Sequence, residues 1–375
     1  MGMRHDRATR RDQCREAPLE ASARRGTKVA ASDERLTSED ILSWLAESYE
    51  PSLELLWALA DIVRQSYVGN AIHVRALLEV SSHGAAHCAF CGPIARGQEA
   101  PSHRMNQDEM VESARVAAEL RFGTVVLQAG DDQGLTTECI AGAVRRIKSE
   151  TPLAVTLSLG DRSERELEAW REAGADRYFL CFETFDRELL ARIHPSASGP
   201  APDPITSVRR LKKLGYETGS GSLVGIPGQT YQSAARDIEI FRELDLDMIV
   251  VGPFISAPGT LRGEGDAEGD EGLQVPATDA MVYKVLALAR LTCPEANLFS
   301  TTTLTTVHRT YGRGLGLARG ANVLVHDITP PRFRSRSAGN GCPHDEAQEC
   351  AECLRARIHN MGRSLAIGPG SRERE

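Results

Sequence analysis

The sequence lacks the long apolar run that a membrane-spanning helix needs. No stretch approaches roughly 20 uninterrupted apolar residues, so no transmembrane segment is expected. The first residues contain no apolar core of the kind that a secretory signal peptide carries, so export is not expected either. Hydrophobic residues nevertheless make up 41% of the 375 residues, which is typical of a folded globular protein and excludes a disordered chain. The expected location is the cytoplasm.

An excess of positive charge is also missing. The formal net charge of −8 gives no general attraction to nucleic acid or to an anionic membrane, so neither is an expected partner. No glycine-rich phosphate loop follows the first predicted strand, which disfavours an open dinucleotide-binding sheet. No lysine lies at the ends of the predicted strands, so a Schiff-base lyase has no obvious candidate residue.

What the sequence does contain is a long alternation of strands and helices. Residues 1–35 are polar and rich in arginine and are predicted to be a disordered tail, and 36–70 are predicted to be an N-terminal helical segment. Eight strands alternating with helices predict an α/β fold with a parallel sheet, most simply a (βα)8 TIM-barrel-like domain over 71–330. The strand-like runs are Ile72–Val80, Thr124–Gln128, Ala154–Leu159, Tyr178–Phe182, Glu217–Val224, Met248–Val251, Asn297–Thr302 and Asn322–Val325.

Two further segments complete the predicted organisation. A cysteine-containing segment over 331–366 is expected to follow the barrel and to end in a helix near Ala351–Leu365. Residues 367–375 are expected to be frayed. The acidic, glycine-rich run Gly263–Gly272 is interpreted as an exposed loop rather than a calcium site, because its sixth position lacks the glycine of a calcium-binding loop.

Five of the nine cysteines fall into two tight groups. Cys88 and Cys91 form one CxxC pair, and the second group is Cys342, Cys350 and Cys353, with His344 as a candidate fourth ligand. Clustered thiols without an export signal indicate metal binding before disulfides. The first pair follows the first strand, so we expect it at the mouth of the barrel, where the working residues of α/β barrels lie. From the residues alone, zinc, an iron centre and a redox-active pair all stay open.

The run from Val74 to Gly92, VRALLEVSSHGAAHCAFCG, resembles the cluster loop of radical S-adenosylmethionine (radical SAM) enzymes. The resemblance extends from about Thr37 to Leu365. Among radical SAM enzymes, the chain most resembles the E-type maturases of FeFe-hydrogenase, which are relatives of biotin synthase and methylornithine synthase. The motifs that carry the resemblance are LQAGDD, TLSLG, AGADRYFL, LGYETGSGSLVGIPGQT, GPFISAPGT and GANVLVHDITP.

The resemblance implies a specific chemistry. In that family three cysteines of a CxxxCxxC loop hold a 4Fe-4S cluster, which cleaves S-adenosylmethionine to a 5′-deoxyadenosyl radical during metallocofactor assembly. An auxiliary iron–sulfur cluster or zinc site is expected at the C-terminal cysteines. The resemblance also implies a small-molecule or iron-complex substrate, and other hydrogenase maturases as partners. The residues that it assigns are Cys88 and Cys91 to the cluster, and Phe90, Asp131, Glu183 and Gly225 to the cofactor, with a tight turn as the alternative for Gly225.

One position departs from the pattern. With Cys88 and Cys91 in register, the first cluster cysteine would be residue 84, which is glycine. Cys181, which ends a predicted strand on the same face, is the candidate replacement ligand, and His83 and His87 flank the gap. The sequence therefore leaves two functions open. One is a radical SAM enzyme with rearranged ligation, and the other is a cluster-deficient barrel that binds a partner or a small molecule.

Overall fold

The structure is a computed structural model that describes residues 35–83, 102–130, 132–193, 203–255, 274–301, 303–304, 312–333 and 350–373. Within these ranges eight parallel strands pair in sequence order, and the last pairs with the first, so the sheet closes into a barrel. The strands are β1 Ala71–Ser81, β2 Thr124–Ala129, β3 Ala154–Ser158, β4 Arg177–Phe179, β5 Glu217–Val224, β6 Met248–Pro253, β7 Asn297–Ser300 and β8 Val323–Asp327. The predicted α/β barrel is confirmed.

Helices surround the barrel, and several begin where the sequence places a capping residue. Thr37 caps the first helix and Asn106 caps the third, each in a reciprocal capping box with the acidic residue three positions later. The helices are α1 Ser38–Ala46, α2 Glu50–Val68, α3 Gln107–Glu119, α4 Thr137–Glu150, α5 Glu164–Glu172, α6 Arg187–Ile193, α7 Pro204–Lys213, α8 Tyr231–Glu243, α9 Asp279–Thr292, α10 Gly312–Ala318 and α11 Ala351–Asn360. None of these helices is long and apolar enough to cross a bilayer.

Alternate residues of each strand point to opposite faces of the sheet, which separates the main core from the lumen of the barrel. In β1, Ile72, Val74 and Ala76 belong to the apolar core between the barrel and the helices. A second, smaller cluster inside the barrel is formed by Met248 and Phe299, together with Val323. The side chains of this cluster fill the lumen near the N-terminal ends of β6 and β8.

The C-terminal end of the chain differs from the prediction in two ways. The last helix ends at Asn360 rather than near Leu365, because Gly362 takes a left-handed conformation with φ of 69° and its N–H bonds back to the carbonyl of His359. The chain then forms a short strand, β9 Ser364–Leu365, which pairs with the start of β1.

Strand β4 is shorter than the predicted Tyr178–Phe182, because its regular hydrogen-bonded ladder stops at Phe179.

Residues 367–373, part of the segment 367–375 that was predicted to be frayed, instead lie across the N-terminal end of the barrel. The carbonyl of Pro369 accepts hydrogen bonds from Thr124 Oγ1 and from the Arg177 guanidinium, both at 2.9 Å. The carbonyl of Gly370 accepts one from Asn297 Nδ2 at 3.0 Å. These three donors begin strands β2, β4 and β7, so the tail covers the end opposite the mouth. The prediction was wrong because these bonds go to residues that are distant in the sequence.

Candidate active site

The mouth of the barrel is formed by the C-terminal ends of the strands, and the exit of β1 is firmly anchored there. The amide of Ser82 donates to the carbonyl of His103 at 3.1 Å, and the amide of Met105 donates to the carbonyl of Val80 at 2.8 Å. The chain therefore leaves β1 and returns to it at the same point. Between these ends lies the segment 84–101, which carries Cys88, Phe90 and Cys91 and falls outside the described residues.

A buried carboxylate joins the exits of β1 and β2. Asp132 accepts two hydrogen bonds from Arg104, each at 2.8 Å, and one from Ser81 Oγ at 2.6 Å. Burial disfavours ionisation of Asp132, but these hydrogen bonds and one from the Gly134 amide outweigh it and hold the pKa of this carboxyl well below its usual range. Asp132 is thus a structural anion. Its neighbour Asp131, the residue predicted to contact the cofactor, lies outside the described residues.

A buried arginine extends this connection to β3. Arg162 donates to the carbonyl of Asp132 at 2.6 Å and to the carbonyl of Leu159 at 2.9 Å. One side chain therefore fixes the loops that follow two neighbouring strands. Neither Arg104 nor Arg162 was predicted as a site residue, because nothing in the local sequence distinguishes them from the other arginines.

The exit of β4 places two of the predicted site residues at the mouth. Cys181 Sγ donates to the carbonyl of Gly221 at 3.8 Å, and burial, with the charge of Glu183, raises the pKa of this thiol well above its usual range. Glu183 has a φ of 64°, in the left-handed region that a residue other than glycine rarely adopts. Its carbonyl accepts a hydrogen bond from the Leu223 amide of β5 at 2.7 Å. Strain of this kind gathers at functional sites when the surrounding structure enforces it.

The turn after β5 accounts for Gly225 without a ligand. Its φ is 88°, and a Cβ built there would come within 2.4 Å of Ala277. Its amide already donates to Gln229 Oε1 at 2.7 Å, and Gln229 in turn donates to the carbonyl of Leu223 at 3.0 Å. The turn requires glycine for its own geometry, and a cofactor contact at Gly225 stays a prediction.

The interior below the mouth is basic. Arg75 is buried, its Nη1 lies 2.6 Å from Met248 Sδ, and its guanidinium lies 4.8 Å from the centre of the Phe299 ring. Its Nε and Nη2 have no hydrogen-bond partner among the described residues. Burial, with the charges of Arg75 and Arg177, lowers the pKa of His73 to about 4. Glu217 lies beside Arg177, with 2.5 Å between Oε2 and Nε, and offsets part of this positive charge.

The second thiol group is described in part. Cys350 is the N-cap of α11, and its Sγ lies 2.8 Å from Cys353 Sγ and accepts from the Cys353 amide at 3.1 Å. Both thiols are exposed, and the hydrogen bond from the Cys353 side chain lowers the pKa of Cys350. Cys342 and His344 lie outside the described residues. Across the described ranges no three His, Cys, Asp or Glu side chains converge on one point, so metal binding at this pair stays a prediction.

Comparison with known proteins identifies the class. The profile of the radical SAM superfamily matches residues 79–241, from the end of β1 to α8. The chain is 36% identical over 324 residues to the FeFe hydrogenase maturase subunit HydE of Thermotoga maritima, an alignment that covers 86% of this chain and 89% of that protein. The chain therefore belongs to the radical SAM superfamily, as its motifs predicted, and it is similar to this hydrogenase maturase over most of its length.

Solved structures agree with this assignment. The crystal structure of methylornithine synthase PylB superposes with a TM-score of 0.77 at 25% identity and covers 91% of this chain and 97% of that one. The maturase HydG of Carboxydothermus hydrogenoformans superposes with a TM-score of 0.74 at 17% identity, over 95% of this chain and 81% of that one. At that identity HydG supports the barrel fold alone.

The donor set at the mouth does not match the three-thiolate site that the family implies. The loop supplies Cys88 and Cys91, but residue 84 is glycine, which has no ligating atom. Among the described residues, His83 and Cys181 are the candidates for the missing ligand, and the raised pKa of the half-buried Cys181 thiol disfavours the thiolate that a metal requires. The backbone of Glu183 pairs with Ser222 at the exit of β5, so this residue lies at the mouth, and its contact with S-adenosylmethionine stays a prediction.

Proposed function

We propose that this chain is a radical SAM enzyme of the FeFe-hydrogenase maturase type, acting in the assembly of a metallocofactor. The observation that carries the proposal is the 36% identity to the maturase HydE, which extends over 86% of this chain rather than over the barrel core alone. A 4Fe-4S cluster on Cys88 and Cys91 would supply the electron that cleaves S-adenosylmethionine. Phe90, Asp131 and Glu183 would bind the cofactor.

The proposed function also implies a substrate, protein partners and a cellular location. The substrate would be a small molecule or an iron complex. Other hydrogenase maturases would be the protein partners, and the cytoplasm the location. The cysteines Cys342, Cys350 and Cys353 would hold an auxiliary cluster or a zinc ion.

One observation favours a second function, a barrel that no longer holds a cluster and binds a partner or a small molecule instead. Gly84 removes one of the three thiolates that such a cluster needs, so the loop alone would hold it weakly. The two functions differ in whether iron is present at the mouth and in whether S-adenosylmethionine is cleaved.

The deciding experiment is anaerobic reconstitution with iron and sulfide, followed by metal analysis and by EPR of the dithionite-reduced protein. The Cys342/Cys350/Cys353→Ala triple variant removes the C-terminal site, so any cluster that remains belongs to the barrel. The proposed function requires about four irons per chain in this variant and an EPR signal that changes when S-adenosylmethionine is added. Cys88→Ala should then abolish that iron.

Two further variants identify the third ligand. In the triple-variant background, Cys181→Ser should remove the cluster if Cys181 has replaced the missing cysteine, and His83→Ala tests the flanking histidine in the same way. Gly84→Cys restores the family pattern and serves as the positive control. A cluster that forms only in Gly84→Cys, together with no cleavage of S-adenosylmethionine by the natural chain, would favour the second function.

A further inference from the structure

We propose that Asp237 is a positioning residue that holds Glu183 at the barrel mouth. The ligand assigned to Glu183, the positively charged part of S-adenosylmethionine, rests on the proposed function. The role of Asp237 in fixing the chain after β4 rests on the geometry alone.

Asp237 occupies a position where an apolar residue is expected. It lies on α8, and the residues that share its buried face include Ala234, Ile238 and Phe241. Asp237 itself is 1% exposed. A carboxyl group in such surroundings is costly unless its hydrogen bonds repay the lost hydration. The residue therefore calls for an explanation beyond packing.

The hydrogen bonds of Asp237 all go to the segment that follows Glu183. Its Oδ1 accepts from the amide of Phe185 at 2.8 Å and from Thr184 Oγ1 at 3.3 Å. The Thr184 hydroxyl oxygen accepts in turn from the amide of Asp186 at 3.1 Å, so one carboxyl oxygen organises three consecutive residues. The other oxygen, Oδ2, has no partner among the described residues.

The lack of a partner at Oδ2 among the described residues is consistent with a protonated, neutral carboxyl group at Asp237. Burial raises the pKa of Asp237 from 3.8 to about 7, against the hydrogen bonds from Phe185 and Thr184 and with a smaller contribution from the charge of Asp186. A neutral acid still offers Oδ1 as an acceptor. Asparagine reproduces this arrangement without the proton, whereas leucine fills the space and offers no acceptor.

Glu183 needs such support because its backbone is strained. The left-handed conformation is unfavourable for a residue other than glycine. The carbonyl of Glu183 is held from one side by the Leu223 amide, at 2.7 Å, and the next two residues are held from the other side by Asp237. Without Asp237 the turn can relax to an ordinary conformation, and the Glu183 carboxylate would lose its place at the mouth.

The test compares Asp237→Leu and Asp237→Asn with Ile238→Val, a core change one residue away that touches none of these hydrogen bonds. Amide hydrogen exchange of the full-length chain is followed by mass spectrometry over residues 181–189. Binding of S-adenosylmethionine to the anaerobically reconstituted proteins is measured by calorimetry. We expect faster exchange in this segment and about 10-fold weaker binding in Asp237→Leu alone, with Asp237→Asn close to the natural chain.

Hydrogen exchange tests the role of Asp237, and the binding measurement tests the ligand assigned to Glu183. Unchanged exchange over residues 181–189 in Asp237→Leu would overturn the role of Asp237, whatever the binding. Faster exchange in both Asp237→Leu and Ile238→Val would also overturn it, because the effect would then be general loosening. If the natural chain binds no S-adenosylmethionine, the ligand assigned to Glu183 fails with the proposed function, while the exchange data still decide what Asp237 does.

Discussion

Removal of the C-terminal tail should destabilise the barrel, although a terminal segment of this length is usually dispensable. Truncation after Ile367 strips hydrogen bonds from side chains inside the lumen. Arg177, which is 0% exposed, loses the Pro369 carbonyl and the Ser371 hydroxyl, both at 2.9 Å. Thr124 loses the same carbonyl, and Asn297 loses that of Gly370.

The magnitude follows from these four bonds. A buried group left without its partner costs about 1–3 kcal/mol, and water that enters the opened end recovers part of that cost. We therefore expect a loss of about 3–6 kcal/mol in the free energy of unfolding. Arg372 adds partly exposed ion pairs with Asp245 and Glu295, worth about 1 kcal/mol or less, and a longer contact of 3.6 Å with the buried Asp247. For a folded core of this size, with an unfolding entropy of about 0.7 kcal/mol/K, the loss corresponds to a fall of about 4–9 °C in Tm.

Scanning calorimetry or thermal circular dichroism measures this directly. A shorter truncation after Arg372, which keeps every bond to the lumen, should leave Tm unchanged. Arg372→Ala removes the pairs with Glu295 and Asp245 and the longer contact with the buried Asp247, but no bond to the lumen, so it should lower Tm by less than the truncation does. If truncation after Ile367 gives the Tm of the intact chain, the tail bonds contribute nothing and the reasoning is refuted.

Three further changes test the mouth and the second thiol group. Because burial raises the pKa of Asp237 from 3.8 to about 7, the native state keeps a proton that the unfolded state releases, so stability should fall as pH rises between these values. The fall should be at most roughly 4 kcal/mol and should vanish in Asp237→Asn, as measured by urea unfolding at several pH values. Arg104→Met removes the bidentate partner of the buried Asp132 and should cost about 1–3 kcal/mol, whereas Arg115→Met, at exposed pairs with Glu112 and Glu150, should leave the stability nearly unchanged; equal losses would contradict the assignment. Cys350→Ser should lower the metal content without changing iron at the barrel site, and an unchanged total by plasma mass spectrometry would argue against a metal there.

Much of the fold was predictable because its signals are local. The capping boxes at Thr37 and Asn106 are signals of this kind, since each needs only four consecutive residues. Strand β5 has the predicted bounds, Glu217–Val224, because its ends are marked by a glycine turn on either side. The closure of eight strands followed from their alternation with helices, which leaves a parallel sheet few other arrangements.

The features that escaped prediction depend on partners far apart in the chain. Arg104 and Asp132 are 28 residues apart, and Asp237 and Phe185 are 52 apart, so neither pairing leaves a trace in the local pattern. The tail was predicted to fray because its composition is polar and glycine-rich, whereas its position is fixed by the ends of β2, β4 and β7. The role of a buried polar side chain can be inferred only when the fold shows which residue it bonds to.

The residues that fix the backbone at the mouth differ from those that would bind the cluster. The bonds that anchor the cluster loop run between Ser82 and His103, and those that fix the neighbouring exits run through Arg104 and Arg162. None of them involves residue 84, so a glycine there need not disturb the barrel. By the same argument, Gly84→Cys should fold with the stability of the natural chain and change only the donor set. Iron bound by that variant and not by the natural chain would locate the loss of function in a single side chain, whereas equal iron in both would show that another ligand already completes the site.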